Sequence, residues 1–253
     1  MTSEGANRIG WLGHATTLIE VDGVALLTDP LLHRRTAHLH RVVPPLPAEL
    51  PPIAAVLLSH VHWDHLDVRS LRRVGTNVRM IVPRGVAKLL LRKGFADVVE
   101  VDEGDEVRVG EVVVRATHAD HDADRGPFGT HAPALGFVVA GTRRVYFAGD
   151  TDVFDDMALL ADGLDVALLP VSGWGPTVPA GHMDAARAAE ALRLLEPRIA
   201  IPIHWGTLAP LYRRTPYDPD AGARFAALAR LAAPEVDVRV LRVGETISLE
   251  TEA

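Results

Sequence analysis

The sequence contains no cysteine among its 253 residues. This absence excludes disulfide bonds, thiolate ligands to zinc, iron–sulfur clusters and a cysteine nucleophile. Long apolar runs are missing as well, since none approaches the roughly 20 residues that a membrane-spanning helix requires. The N-terminal residues also lack the basic segment followed by an apolar segment that marks a secretory signal. We therefore expect a cytoplasmic protein without a membrane span.

An excess of positive charge is absent too, because the formal net charge is −7 at pH 7. Proteins that bind nucleic acids through their phosphates usually carry a basic face, so this balance favours a small-molecule substrate over a nucleic acid partner. With 48% hydrophobic residues, the chain has enough apolar surface to fold, which excludes intrinsic disorder. We treat residues 1–253 as a single domain, and the sequence carries no signature of its oligomeric state.

Apolar runs bounded by turn residues predict an α/β protein in which sheets pack face to face with helices outside. Continuous apolar runs are typical of strands buried on both faces. The predicted strands are Arg8–Trp11, Thr17–Val21, Val24–Thr28, Ala54–Ser59, Arg79–Val82, Val98–Val101, Glu106–Val109, Val112–Thr117, Leu135–Val139, Arg144–Ala148, Val166–Pro170, Ile199–Ile203, Asp237–Leu241 and Thr246–Glu250. The predicted helices are Asp67–Val74, Gly85–Lys93, Asp184–Leu195 with Asp184 as N-cap, and Ala221–Leu231. The proline-rich segment Val42–Pro52 is predicted to be an extended surface loop over a site.

The strongest chemical signal follows the apolar run that begins at Ala54. Four residues with ligand-capable side chains follow it within six positions, namely His60, His62, Asp64 and His65. In an extended loop, residues two apart point the same way, so His60 and His62 can share one cation. A bend would direct Asp64 and His65 to a second cation beside the first. Imidazoles with a carboxylate suit zinc, and iron and manganese are alternatives.

Three more candidate ligands lie just beyond the ends of predicted strands, namely His121, Asp150 and His204. Loops from neighbouring strands can converge on one edge of a sheet, which would bring these side chains to the first group. The predicted arrangement has one metal held by His60, His62 and His121 and the other by Asp64, His65 and His204, with Asp150 as bridge. Each cation then keeps an open position for water, which is typical of a catalytic site.

The motif His60-x-His62-x-Asp64-His65, followed by a distant His, Asp and His, resembles that of the metallo-β-lactamase superfamily. The resemblance extends from about Ile9 to Gly244 and is similar to the bacterial lactonase-like and N-acyl-phosphatidylethanolamine phospholipase D-like branch. The matching segments are Trp11-Leu12-Gly13-His14, Thr28-Asp29-Pro30, His60–Asp67, Gly149-Asp150-Thr151, Gly181-His182-Met183-Asp184 and Ile203-His204-Trp205-Gly206-Thr207. The resemblance implies a four-layer αβ/βα sandwich, a binuclear metal centre and hydrolysis.

Two departures from the family pattern bear on the site. Relatives often have a proline where this chain has His118, so the ligand role is assigned to His121 and His118 is the alternative. The best-known zinc β-lactamases use a cysteine ligand, which this chain lacks, so hydrolysis of β-lactam antibiotics is not expected.

In the resembling branch, the histidine that corresponds to His182 faces the active site, where it can donate a proton.

Other side chains have two interpretations each. His14 is either a residue that supports a metal ligand or a buried imidazole. Trp63, Trp174 and Trp205 are either apolar walls of a substrate pocket or part of the core. Basic residues before the proline-rich loop and after Tyr212 form either a collar for an anionic substrate or a solvated face. These basic residues are His33, Arg34, Arg35, His38, His40, Arg41, Arg213 and Arg214. His131 has no assigned role.

The resulting hypothesis is a metal-dependent hydrolase that uses a hydroxide bridging two divalent cations to cleave a phosphodiester or a lactone or ester. Asp64 would orient the nucleophile and His182 would supply a proton. The alternatives are a nuclease, a metal-binding protein without turnover, and one component of an oxygen-reducing system.

Overall fold

The computed structural model of the protein describes residues 7–43, 49–123 and 131–250. The first of two sets of elements runs from Arg8 to His118. Its members are β1 (Arg8–Gly13), β2 (Thr16–Val21), β3 (Val24–Thr28), β4 (Arg35–Thr36), β5 (Leu39–Arg41), β6 (Ala55–Leu57), α1 (Val68–Val74), β7 (Arg79–Pro83), α2 (Ala87–Arg92), β8 (Val98–Val101), β9 (Glu106–Val109) and β10 (Val112–His118). The second set is β11 (Leu135–Ala140), β12 (Arg144–Phe147), a 3-10 helix (Asp155–Leu160), β13 (Val166–Pro170), α3 (Ala185–Leu195), β14 (Ile199–Ile203), β15 (Leu208–Pro210), α4 (Ala221–Ala232), β16 (Asp237–Val238) and β17 (Thr246–Ser248).

These strands form two large mixed sheets and one small sheet. In the part of the chain that the structure describes, the first sheet has the order β17-β1-β2-β3-β6-β7-β8 and the second has the order β16-β14-β13-β12-β11-β10-β9. The strands from β3 to β8 are parallel to one another in the first sheet, as are those from β12 to β16 in the second. The small sheet has the order β15-β5-β4.

Alternating side chains of the central strands enter different cores, which explains their continuous apolar sequences. In β6, Ala55 and Leu57 lie in the core between the two sheets, whereas Val56 lies in the core between the first sheet and its helices. In β13, Leu168 faces the first of these cores and Leu169 faces the helices of the second sheet. A strand buried on both faces has no polar alternation.

The helices cover the outer faces of the two sheets. Side chains of α1 and α2 pack on the first sheet, and those of α3, α4 and the 3-10 helix pack on the second. The order of layers is therefore helix, sheet, sheet, helix, which confirms the predicted αβ/βα sandwich. No helix in the described residues is both long and apolar enough to cross a membrane.

Four strands are shorter than predicted, namely those predicted at Ala54–Ser59, Arg144–Ala148, Asp237–Leu241 and Thr246–Glu250. The strand predicted at Ala54–Ser59 ends at Leu57, because Ser59 donates its backbone N–H to the Asp29 carboxylate, over 2.8 Å, instead of to a neighbouring strand. The strand predicted at Asp237–Leu241 ends at Val238.

The small sheet is missing from the prediction because its strands have two or three residues and no apolar periodicity. Within the predicted loop Val42–Pro52, residues 44–48 lie outside the described residues, and the others are in neither helix nor strand. The β4–β5 hairpin of the small sheet precedes this loop directly, since β5 ends at Arg41.

The N-cap of α3 provides a test of local stability. Asp184 caps this helix by accepting hydrogen bonds from the backbone N–H groups of Ala186 and Arg187, both over 2.9 Å. We expect Asp184→Ala to lower the free energy of unfolding by about 1 kcal/mol, because two helical N–H groups lose their acceptor. Asp184→Asn, which keeps an acceptor oxygen, should lose much less. Urea denaturation measures both, and equal losses would contradict the capping role.

Candidate metal centre

The ends of several strands meet at one edge of the sandwich. In the first sheet β1, β3 and β6 run in the same direction and are followed by His14, Asp29 and His60. In the second sheet β10, β12 and β14 share a direction, and Asp150 and His204 follow the last two. Because loops after parallel strands leave a sheet at the same edge, polar residues that are distant in sequence come together there.

The loop after β6 turns sharply within the histidine motif. The backbone N–H groups of His65 and Leu66 both donate to the carbonyl oxygen of His62, over 3.1 and 2.9 Å. This turn lets His60 and His62 face one group of side chains while Asp64 and His65 face another. His60 and His65 are completely buried.

The first group consists of His60, His62 and His121, whose ligand atoms lie within 4.8 Å of one another. His62 Nδ1 and His121 Nε2 are 3.2 Å apart. The His121 ring contacts both partners, with centroid distances of 4.7 Å to His60 and 4.9 Å to His62.

The second group consists of Asp64, His65 and His204 together with His14, again with ligand atoms within 4.8 Å of one another. His65 Nε2 and His204 Nε2 are 3.2 Å apart, and Asp64 Oδ2 lies 3.8 Å from His65 Nε2. His14 Nε2 donates to Asp64 Oδ2 over 3.0 Å, so His14 holds this carboxylate in place.

Asp150 lies between the two groups. Its Oδ2 is 3.2 Å from His65 Nε2 and 3.8 Å from His60 Nε2, and its Oδ1 is 3.2 Å from His204 Nε2. The carboxylate therefore contacts members of both groups, as a bridging ligand would.

Hydrogen bonds behind the rings fix which nitrogen faces the centre. Asp29 Oδ2 accepts from His65 Nδ1 over 2.7 Å and from Ser59 Oγ over 2.5 Å. Because Ser59 Oγ has donated its proton to Asp29, it accepts from His60 Nδ1 over 2.9 Å. One carboxylate thus orients a histidine in each group and directs each Nε2 toward the centre, where a cation can replace a proton on that nitrogen.

Backbone carbonyls orient two more histidines. His121 Nδ1 donates to the carbonyl oxygen of Gly181 over 2.9 Å, and His204 Nδ1 donates to that of Ser172 over 2.8 Å. Their Nε2 atoms therefore also carry lone pairs toward the centre. Such an outer hydrogen bond is the usual companion of a metal-bound imidazole.

These lone pairs fit divalent cations. The lone pairs of His65 and His204 are directed into a gap of 3.2 Å, where they repel unless a cation or proton lies between them. His60 Nε2 is buried and has no hydrogen-bond partner among the described residues. A buried polar atom without a partner is destabilising, and coordination would remove that penalty. Imidazole nitrogens with carboxylate oxygens are donors that zinc, iron and manganese accept.

The local charges also favour cations. Burial lowers the pKa of His121 to about 4 and that of His60 well below its ordinary value, so both rings are neutral ligands at pH 7. Burial alone would raise the pKa of the Asp150 carboxyl, but the surrounding imidazoles hold it well below its usual range. Burial would lower the pKa of His65, yet the charges of Asp150, Asp64 and Asp29 hold it well above the ordinary value. The carboxylates thus attract a positive charge to the centre.

A cavity of about 390 Å³ opens beside these side chains. Its apolar lining includes Leu39, Trp63, Trp174, Pro176 and Pro179. None of the described residues that line it is a lysine or an arginine. The cavity is therefore lined both by apolar side chains and by candidate metal-ligating side chains.

The structure separates the remaining candidates. His182 lines the cavity, and its Nε2 lies 3.3 Å from Asp150 Oδ2. His118 does not join the cluster, because it ends β10 as an exposed residue with its Nδ1 3.2 Å from Glu103. Trp63 and Trp174 line the cavity, and their contact with a substrate stays a prediction.

Trp205 does not line this cavity, in contrast to the prediction. Its indole stacks on Trp11 at a centroid distance of 5.3 Å and donates to the carbonyl oxygen of Pro202 over 3.0 Å. His204 has a positive φ of 63°, and the next side chain packs against both the inter-sheet core and the core beneath α4. Trp205 therefore belongs to the core.

Sequence reasoning assigned no role to Asp29 or Ser59. Asp29 lies within the segment Thr28-Asp29-Pro30 quoted for the family resemblance, so that motif is a usable signal for it, whereas Ser59 directly precedes the quoted segment His60–Asp67. No sequence signal indicates the roles of the Gly181 and Ser172 carbonyl oxygens. Every residue has a carbonyl group, and only the fold decides where it points.

The fold and the clustered side chains define a metal-binding αβ/βα sandwich, and comparison with known proteins agrees. The sequence profile of the beta-lactamase superfamily domain matches residues 25–205. A metal-dependent hydrolase of Methanopyrus kandleri is 33% identical over 94% of this chain and 98% of its own length. An N-acyl-phosphatidylethanolamine-hydrolyzing phospholipase D of Caenorhabditis elegans is 31% identical over 78% of this chain and 63% of its own length. A solved metallo hydrolase of Ignicoccus hospitalis superposes with a TM-score of 0.73 and 24% identity, covering 97% of this chain and 99% of its own.

The chain belongs to the beta-lactamase superfamily. The resemblance derived from the histidine motif is thereby confirmed, and the protein is a metal-dependent hydrolase of this superfamily.

The position of Asp29 behind both groups gives a test of metal binding. We expect Asp29→Asn to weaken metal affinity by about 10–100-fold, because the new amide either repels the Nδ1 proton of His65 or forces the other tautomer. Chelator competition measures the affinity, and circular dichroism verifies folding. Asp162→Asn, at an exposed residue paired with Arg144, is the matched control. Unchanged affinity in a folded Asp29→Asn protein would show that Asp29 does not position the ligands.

Proposed function

We propose that the protein holds two divalent cations and hydrolyses a carboxylic ester or lactone that carries an apolar group. His60, His62 and His121 would hold the first cation and Asp64, His65 and His204 the second. Asp150 would be shared between them. Zinc is the proposed metal, with manganese and iron as the alternatives that these ligand types also accept.

The bound cations would supply Lewis-acid chemistry, by lowering the pKa of water and by polarising the oxygen of the scissile bond. The protein's own contribution is to fix the positions of the reacting groups. His14 holds Asp64 through a hydrogen bond of 3.0 Å, so this carboxylate can orient the attacking water.

His182 is the proposed proton donor to the leaving group. Its Nδ1 lies 3.2 Å from the carbonyl oxygen of Ala180, which directs the opposite nitrogen toward Asp150 and the cavity. The side chain keeps 14% of its surface exposed, so a substrate in the cavity can contact it. Proton transfer from such a group contributes about 10²–10⁴-fold to a rate.

The lining of the cavity is the observation that carries the choice of substrate. Away from the candidate metal ligands its described walls are mostly apolar, with Leu39, Trp63 and Trp174 prominent, and they contain no lysine or arginine to neutralise a charge that lies outside the centre. A neutral ester or lactone needs no such partner and gains from burial of its apolar part. A small uncharged substrate therefore fits this cavity better than an anionic one.

A phosphodiester is the second candidate, and one relative supports it. The Caenorhabditis elegans relative is described as a phospholipase D, an enzyme that hydrolyses a phosphodiester bond. A nuclease, a metal-binding protein without turnover and an oxygen-reducing component have no comparable support here. The cytoplasmic location expected from the sequence stays a prediction.

Matched histidine variants test the hydrolytic centre and its substrate. We expect protein loaded with zinc or manganese to hydrolyse γ-nonanoic lactone faster than bis(p-nitrophenyl) phosphate. His121→Ala should lower kcat/KM by more than about 100-fold and lose bound metal, because it removes a ligand rather than an outer contact. His118→Ala should change neither, since His118 is exposed and outside the cluster.

The outcomes of this assay are separable. Faster turnover of the phosphate diester would replace the ester proposal by the second candidate. Full metal content without turnover of either substrate would favour a protein without hydrolytic activity. Loss of metal in His118→Ala but not in His121→Ala would reverse the ligand assignment.

Substitution of His182 tests the proton donor separately from metal binding. We expect His182→Gln to lower kcat by about 10²–10⁴-fold while metal content stays unchanged. Esters with better leaving groups should be less affected, because they need less protonation. An equal loss across a series of leaving groups would contradict the role as proton donor.

A further inference from the structure

A second depression, of about 610 Å³, lies beside the β4–β5 hairpin and is lined almost entirely by basic side chains. The lining residues are His33, Arg34, Arg35, His40, Arg41 and Arg69. None of them is acidic, although the whole chain carries a net charge of −7. The depression shares no lining residue with the cavity at the metal centre, so it is a separate feature.

Arg41 is the most unusual member of this group, because it is a buried cation without a counter-charge. Its residue exposure is 8%, and its guanidinium donates to the carbonyl oxygens of Leu31 and Leu12 over 3.1 and 2.9 Å. Its Nε has no hydrogen-bond partner, and the described residues provide no carboxylate within ion-pair distance. Burial lowers the pKa of Arg41 to about 10, so the group stays charged at pH 7. Burying an uncompensated charge is strongly unfavourable, and a bound anion would offset it.

Other donors of the depression are also uncommitted. His40 Nδ1 is buried without a partner among the described residues. Arg34, Arg35 and Arg69 are exposed, and no ion pair involves them in the described part of the chain. Elsewhere in the molecule arginines pair with carboxylates, as Arg84 does with Asp102 and Arg187 with Asp152.

We propose that this depression is a binding site for a phosphate-class oxyanion, carried either by a soluble phosphate ester or by a phospholipid headgroup. Arginine suits this ligand because its planar guanidinium presents paired N–H donors that match two oxygens of a phosphate. Several guanidinium groups around one depression fit an anion with more than one negative charge. None of the residues proposed for hydrolysis lines this anion site.

Equilibrium binding to the metal-loaded full-length chain tests this proposal. Isothermal titration with inorganic phosphate measures the soluble ligand, and flotation with phosphatidylcholine vesicles with and without phosphatidic acid measures the headgroup. The test variant is Arg35→Gln/Arg69→Gln, which removes exposed side chains and leaves Arg41 in place. The matched control is Arg108→Gln/Arg115→Gln, which makes the same change of charge on exposed positions of β9 and β10.

We expect the test variant to bind phosphate at least tenfold more weakly than the parent, because each lost guanidinium group removes charge-assisted hydrogen bonds to the anion. The control should bind as the parent does. Neither variant changes the candidate metal centre, so both should bind phosphate there as the parent does. The difference in phosphate affinity between the two variants therefore reports the depression alone.

The vesicle arm identifies the source of the phosphate. Flotation that requires phosphatidic acid and is lost in the test variant assigns the headgroup, whereas binding of phosphate alone without flotation assigns a soluble ester. Equal binding by the test and control variants, or binding by neither the parent nor the variants, would overturn the proposal.

Discussion

Three buried carboxylates, those of Asp29, Asp64 and Asp150, are the constraint on which the rest of the site depends. Each has lost most of its contact with water, so each needs a positive charge or hydrogen-bond donors close by. The imidazoles around them supply donors on one side and lone pairs on the other. Because imidazole nitrogens and carboxylate oxygens converge on the same volume, the arrangement needs a positive charge there, which a protonated His65 or bound cations supply.

The fold brings these groups together through its strands rather than its helices. Neighbouring strands are held in one register by their backbone hydrogen bonds, so the positions of their ends relative to one another are fixed. Asp29 follows β3, and the histidine motif follows the neighbouring β6, with Thr28 in register with Leu57. A rigid register between adjacent strands therefore becomes a fixed distance between the Asp29 carboxylate and the ring of His65.

The sequence was sufficient for the layered sandwich, and it indicated which ligand-type side chains lie near one another at the edge of the sandwich, because both depend on strong local patterns. Continuous apolar runs identified the buried strands, and ligand-type side chains just past their ends identified the edge where they meet. It was insufficient for Trp205, because the position of this residue beside His204 does not tell whether the indole faces the cavity or the core. It was also insufficient for the small sheet, whose two- and three-residue strands are held by tertiary contacts alone. The choice between His118 and His121 depended on where β10 ends, and strand ends are the least predictable feature of a sequence.

Backbone strain is concentrated at the same edge. His14, Asp29 and His204 have positive φ angles of 53°, 32° and 63°, a region that residues with a side chain rarely adopt. Each lies directly after a strand, where the chain must turn at once for its side chain to reach the centre. Such conformations are unfavourable by about 1–3 kcal/mol each and persist only when the surrounding structure enforces them. Here the enforcing contacts are visible: the backbone N–H of His14 donates to Thr207 over 2.8 Å, and that of His204 donates to the carbonyl oxygen of His14 over 2.9 Å. The two strained turns therefore support each other across the sheets, and the packed sandwich stabilises a site geometry that neither loop would adopt alone.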